Sequence, residues 1–248
     1  MRFCFYLLFM MASYISALPQ SYTAPESVVF NPFGQQYIVS FAGSKTLGMQ
    51  ADSSAPFGVF AQGLTSPKGI VIFDTVLYVT DVTSVKAYNL LSREKIDEFP
   101  VPGALFLNDI AADDLGYLYV SDMNAGRIIM IDPYEKKVET LIATPHQSPN
   151  GLYWDTYEQL LYVVYFSPVK SPIQSIDVET KEIKDVYKAE FTMLDGITMD
   201  YQGSVYVSSW ATDSVYKFEF GFDNPPAALP AKFTRSEEHT SELQSPNT

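Results

Sequence analysis

The chain has 248 residues, 47% of them apolar and 15% aromatic. That is ample for a packed core and excludes a disordered chain. Twenty-nine acidic residues against 16 basic ones give a net charge of −13, which excludes a nucleic-acid-binding surface. One cysteine and two histidines exclude a disulfide framework and a cysteine-built zinc site, and leave little room for a histidine-rich metal centre.

The chain starts with Met1 and Arg2, an apolar run over residues 3–12 and small residues up to Ala17. A basic residue, an apolar stretch too short to span a bilayer and small residues at a cut site mark a secretory signal peptide. Residues 1–17 are therefore expected to be removed, Cys4 with them. The mature protein is expected to be secreted or periplasmic, with no membrane span after cleavage; an uncleaved anchor is the alternative. No Asn-x-Ser/Thr sequon is present.

Five similar segments follow: ESVVFNPFGQQYIVS from Glu26, KGIVIFDTVLYVT from Lys68, NDIAADDLGYLYVS from Asn108, NGLYWDTYEQLLYVV from Asn150 and DGITMDYQGSVYVSS from Asp195. Each holds an apolar strand, a polar turn with Gly or Asp, and a second strand, commonly apolar-Tyr-Val-Ser/Thr. Third strands follow as VKAYNL, RIIMID, IQSIDV and SVYKFEF, and fourth strands as KIDEF and VETLI. Short strands rich in β-branched and aromatic residues, repeating every 40–45 residues, predict a β-propeller. No 3.6-residue apolar rhythm supports a helical solenoid of the same period.

A sixth copy would fall near residues 235–240. There the sequence turns to RSEEHTSELQS, which lacks apolar periodicity and reads like a translated sequencing adapter. The expected fold is thus all-β, a six-bladed β-propeller over residues 18–234 with five blades present and the sixth largely missing. Residues 235–248 are expected to be a read-through tail; a closed five-bladed ring is the alternative.

Equivalent positions of a propeller repeat share one height and radius about the axis. The residue opening each copy is Glu26, Lys68, Asn108, Asn150 or Asp195, where the strand nearest the central channel begins. Apolar or small residues would serve if these positions only packed. Two carboxylates and two amides offer oxygen, which suits a hard cation such as Ca²⁺ or Mg²⁺; no nitrogen or sulfur ligand supports a structural zinc. Asp81 and Asp122, which end second strands, are expected to brace blades as hydrogen-bond acceptors. Trp154 and Trp210 are expected to pack within blades. His146, four residues before Asn150, is the one imidazole left as a candidate general base or substrate contact.

The segments E-S-x-V at Glu26, F-x-N-D at Phe106–Asp109, N-G-L-x-W at Asn150–Trp154 and D-G-aliphatic at Asp195–Ile197, in that order and at blade spacing, resemble the regucalcin/gluconolactonase family of six-bladed propellers. The resemblance implies one divalent cation in the central channel, Ca²⁺ first, with Mg²⁺, Mn²⁺ or Zn²⁺ as alternatives. It implies Glu26, Asn150 and Asp195 as metal ligands, Asn108 as ligand or substrate contact, and Asp195 as base or nucleophile. Sugar-lactone members carry an arginine at the position of Phe106, so recognition of a polyhydroxy acid is not implied.

The expected function is a metal-dependent hydrolase acting on a small-molecule lactone or related ester, with Lys68 placed to hold the carboxylate of an anionic substrate. The alternatives are a non-catalytic, metal-braced propeller that binds a ligand or protein partner, and a condensing enzyme of the strictosidine-synthase type that needs no metal.

Overall fold

The computed structural model describes residues 22–52, 54–219, 221–223 and 225–229. The expected leader, read-through tail and sixth repeat lie outside them. Every regular element among the described residues is a strand. The first blade is β1 (Pro25–Asn31), β2 (Gln36–Phe41), β3 (Thr46–Gln50) and β4 (Gly58–Gln62); the second is β5 (Pro67–Phe73), β6 (Val76–Asp81), β7 (Ser84–Asn89) and β8 (Lys95–Pro100). The third is β9 (Leu107–Ala112), β10 (Leu118–Asp122), β11 (Arg127–Asp132) and β12 (Lys137–Ala143). The fourth is β13 (Pro149–Asp155), β14 (Leu160–Tyr165), β15 (Ser171–Ile176) and β16 (Ile183–Phe191); the fifth is β17 (Leu194–Met199), β18 (Val205–Ser209), β19 (Ser214–Phe218) and β20 (Ala227–Ala228). Each blade is an antiparallel meander in chain order, and its first strand packs against the first strand of the next blade. The expected all-β propeller with five blades present is what the described residues build.

The repeated polar turn has a plain cause. Asn31, Asp113, Asp155 and Asp200 each end or follow a first strand, and each accepts two downstream backbone N–H groups on Oδ1. Such side-chain turns reverse the chain without a long loop. Asp81 and Asp122 act as expected. Asp81 accepts the N–H groups of Thr65 and Ser66 and pairs with Lys86. Asp122 accepts those of Leu105 and Phe106 and pairs with Arg127. Both tie a second strand to the loop that enters the channel.

The core is divided among the blade interfaces. Ile38 and Leu47 of the first blade meet Ile70, Leu77 and Val79 of the second. Val85 and Phe99 meet Ile110, Leu118 and Val120 of the third. Tyr119 and Ile128 meet Trp154 and Leu161 of the fourth. Tyr162 and Ile173 meet Ile197, Val205 and Phe218 of the fifth. Among the described residues no such cluster joins the fifth blade to the first. Instead Val28, Phe30, Tyr37 and Val59 of the first blade are exposed at 62%, 44%, 45% and 37%, with the Phe30 and Tyr37 rings 5.3 Å apart.

Candidate functional site

In every blade the ladder between first and second strands is interrupted at the same place. Its partners run Pro25 with Phe41 then Ser27 with Ser40, and Pro67 with Asp81 then Ile70 with Val79. They continue with Leu107 and Asp122 then Ile110 and Val120, Pro149 and Tyr165 then Leu152 and Val163, and Leu194 and Ser209 then Ile197 and Val207. The residues left out include Glu26, Lys68, Asn108, Asn150 and Asp195. An extra residue in one strand is a β-bulge, which re-aims its side chain. Five bulges at one height thus turn a sequence repeat into a ring of polar side chains.

In four of the five blades a hydroxyl at the end of the second strand bonds to a bulge; the fourth blade has Val164 there. Ser40 Oγ donates to the Lys68 carbonyl at 2.5 Å, and Thr80 Oγ1 to that of Asn108 at 2.6 Å. Ser121 and Ser208 Oγ accept the N–H groups of Asp109 and Gly196, each at 2.9 Å. Asn150-Gly151 and Asp195-Gly196 accordingly lie inside β13 and β17 rather than in turns. A Cβ on Gly69 would lie 2.6 Å from Asp109 Oδ1 and 2.7 Å from its Cα, so the crowding of first strands at the axis requires glycine there.

Glu26, Asn108, Asn150 and Asp195 line one cavity of about 440 Å³ together with Asp109. Asn150, 2% exposed, donates from Nδ2 to Asp195 Oδ1 at 2.8 Å. Trp210 donates from Nε1 to Asp195 Oδ2 at 2.9 Å. Asn108 turns its Nδ2 toward Met123 Sδ at 3.4 Å. Lys68 Nζ lies 2.6 Å from Glu26 Oε1 and 5.5 Å from the centroid of the Phe106 ring. His146 is placed apart, its ring packed edge-on against Tyr165 at 5.2 Å, and Lys68, Phe106 and His146 are not among the residues lining the cavity.

Two residues matter more than their sequence context suggests. Asp109 occupies the second bulge position, where three other blades have glycine. Its Oδ2 accepts the N–H of Leu152 in the next blade and Oδ1 that of Ile110, both at 2.9 Å. Burial pushes its carboxyl up to about 6 against the pull of these two bonds, and the charge of Asp195 adds to the rise. Trp210 is the correction to the packing expectation: it is 46% exposed, bonds to Asp195 and meets the Phe166 ring at 6.1 Å. Trp154 does pack, stacked on Tyr119 at 5.6 Å. The signal for Trp210 was its place directly after a second strand, shared with Met123 and Phe166.

Among the described residues no three His, Cys, Asp or Glu side chains cluster as a metal site, so a cation here would depend on the amide oxygens of Asn108 and Asn150. Two carboxylates and two amides from four blades on one cavity are an all-oxygen set, which fits a hard divalent cation. No helix among the described residues is long and apolar enough to cross a membrane.

The chain is similar in fold to a chain of the nidogen/laminin complex, with a TM-score of 0.74 and 17% identity over 86% of this chain and 83% of that one. It is similar to virginiamycin B lyase from Staphylococcus aureus, seen as the catalytically inactive H270A form with quinupristin: TM-score 0.68, 15% identity, 87% of this chain and 73% of that one. A streptogramin B lyase gives 0.66 and 15%, over 85% and 70%. Curated proteins give no match. Residues 27–221 match the family described as SMP-30/Gluconolactonase/LRE-like region. With five bulged blades around a polar channel and a family match over most of its length, the chain belongs to the SMP-30/gluconolactonase/LRE-like family.

Proposed function

We propose that the protein is a secreted, metal-dependent hydrolase of lactones or related esters. The observation that carries this reading is the meeting of Glu26, Asn108, Asn150 and Asp195, from four blades, on one cavity. Their oxygens would hold one divalent cation, Ca²⁺ before Mg²⁺, Mn²⁺ or Zn²⁺. Bound there, the cation would supply Lewis acidity toward an ester carbonyl.

The chain's own residues supply the rest. A carboxylate offers about four acceptor positions. Asp195 uses one for Asn150 and one for Trp210, so its plane is held and capacity remains. It can take the proton of a water that adds to the acyl carbon and return it to the alkoxide released as the acyl C–O bond breaks. Lys68 would receive a carboxylate of an anionic substrate, and Phe106 gives that subsite an apolar wall. Phe166 and Trp210 form an aromatic edge beside Asp195.

The second reading is a propeller that binds without catalysis. It is favoured by the protein partners already held by both ring carboxylates, Lys68 on Glu26 and Asn150 with Trp210 on Asp195. A panel of γ- and δ-lactones and aryl esters, assayed with Ca²⁺ and with chelator, separates the two. Turnover that chelation and Asp195→Ala both abolish supports the hydrolase. Cation binding without turnover on the whole panel supports the binding module, and turnover that survives chelation removes the metal from the account. The secreted placement rests on residues 1–17, and amino-terminal sequencing of the exported protein tests it.

A further inference from the structure

The Lys68–Glu26 pair joins two blades at the ring itself, forty-two positions apart in sequence. Lys68 is partly buried and Glu26 faces solvent on one side, with 17% and 29% of their side chains exposed. The lysine is also held from its other end: its backbone sits in the bulge of β5, and its carbonyl accepts the Ser40 hydroxyl at 2.5 Å. Its ammonium lies over the face of Phe106 at 5.5 Å, a favourable place for a cation. The ammonium is thus fixed by a carboxylate, a ring face and a pinned backbone, unlike a lysine that samples solvent.

Glu26 is one of only two carboxylates among the ring residues, and the other, Asp195, is occupied by uncharged donors. Lys68 therefore sits on one of the two ring carboxylates that a cation would draw on. An ammonium carries three donors and no lone pair, so it cannot join a coordination shell. It can only share Glu26 with a cation or leave. Sharing would set a +1 and a +2 charge on either side of one carboxylate, and their mutual repulsion offsets part of what each gains from Glu26.

We propose that Lys68 is a built-in competitor for the channel's divalent cation: its ammonium occupies Glu26, and the cation binds only as Lys68 is displaced. This rests on the metal-site reading above. It makes Lys68 a determinant of cation occupancy as well as a contact for an anionic substrate. It also gives the channel a neutralising charge of its own when no divalent cation is bound.

The test is calorimetric titration of Ca²⁺ into the full chain as wild type, Lys68→Met, Lys68→Arg and Glu26→Gln, each checked for native circular dichroism. Ca²⁺-dependent rises in melting temperature give a second readout that needs no turnover. The proposal expects Lys68→Met to bind at least tenfold more tightly than wild type and to gain a larger melting shift, while Lys68→Arg stays within about threefold of wild type. Equal or weaker binding by Lys68→Met, with Glu26→Gln still impaired, overturns the proposal and leaves the metal-site reading standing. Unchanged Ca²⁺ affinity in Glu26→Gln, or no binding in either wild type or Lys68→Met, overturns both. If Lys68→Met fails to fold, Lys68→Gln takes its place under the same criteria.

Discussion

Asn150 and Asp195 lie forty-five positions apart, yet the Asn150 amide donates to the Asp195 carboxylate at 2.8 Å. The contact exists because β13 and β17 are bulged at the same height of neighbouring blades. Removing the Asp195 side chain leaves the 2%-exposed Asn150 amide only the Leu194 carbonyl at 3.5 Å and takes away the carboxylate acceptor of the Trp210 indole N–H. Asp195→Ala should therefore lose about 1–3 kcal/mol of stability and shift the Trp210 emission. Urea unfolding followed by tryptophan fluorescence measures both, and a variant as stable as wild type with an unchanged spectrum would show that the pairing is not made.

Second-strand hydroxyls hold bulged backbone in four of the five blades. Thr80 is fully buried and donates to the Asn108 carbonyl at 2.6 Å. Thr80→Val keeps the shape and removes the donor, so a loss of about 1–2 kcal/mol is expected, with weaker cation binding because Asn108 is no longer held. Chemical denaturation and calorimetry on the one variant report the two effects. A stability loss with unchanged cation affinity would separate the bulge from the site.

Close approach of first strands predicts a steep penalty at Gly69. Its added Cβ would meet Asp109 Oδ1 and Cα at 2.6 and 2.7 Å, and backbone cannot yield as a flexible side-chain end can. Gly69→Ala should cost about 2 kcal/mol or more. Gly126→Ala is the control: nothing lies within 4 Å of its Cβ, so only the strain of its positive φ of 65° remains. Denaturation midpoints that rank the two in the opposite order would contradict the axial packing.

Asp109 predicts a pH dependence in metal-free buffer. Its carboxyl is raised to about 6, chiefly by burial. A raised carboxyl pKa favours the fold when protonated, so the stabilisation is fully present below the unfolded value near 4 and is lost as pH rises through 6. Asp109 is partly solvent-accessible, so the fall is at most about 3 kcal/mol. Unfolding free energy measured from pH 4 to 7 should show this fall in wild type and not in Asp109→Asn; parallel curves would contradict it.

The uncovered face of the first blade, with Val28, Phe30 and Tyr37 exposed, should bind an apolar dye or drive self-association. Phe30→Ser with Val28→Ser should reduce both by severalfold, as read by dye fluorescence and sedimentation. Equal values for variant and wild type would mean that the face is covered in solution.

The repeat made the blades legible because each carries its own strand and turn chemistry, and one register then placed Glu26, Asn108, Asn150 and Asp195 together. Partner choice inside the ring was not legible. Whether Lys68 turns to Glu26 or to solvent depends on the geometry between β1 and β5. Whether Asn150 offers Asp195 its nitrogen or its oxygen depends on a side-chain rotation that no spacing encodes. Asp109 ends the F-x-N-D segment, yet its weight comes from burial and from the Leu152 N–H of another blade. Trp210 looked like a packing residue because an aromatic after a strand ordinarily is one. His146 drew notice for its rarity, and its ring lies against Tyr165.

The central claim is that four side chains from four blades form one cation site. The most direct measurement is Ca²⁺ titration calorimetry on wild type, Asp195→Ala, Asn150→Ala and the surface control Asp52→Ala. The account predicts one cation per chain in wild type and in the control, with affinity lost at least tenfold in the two ring variants. Equal affinity in wild type and Asp195→Ala would contradict it.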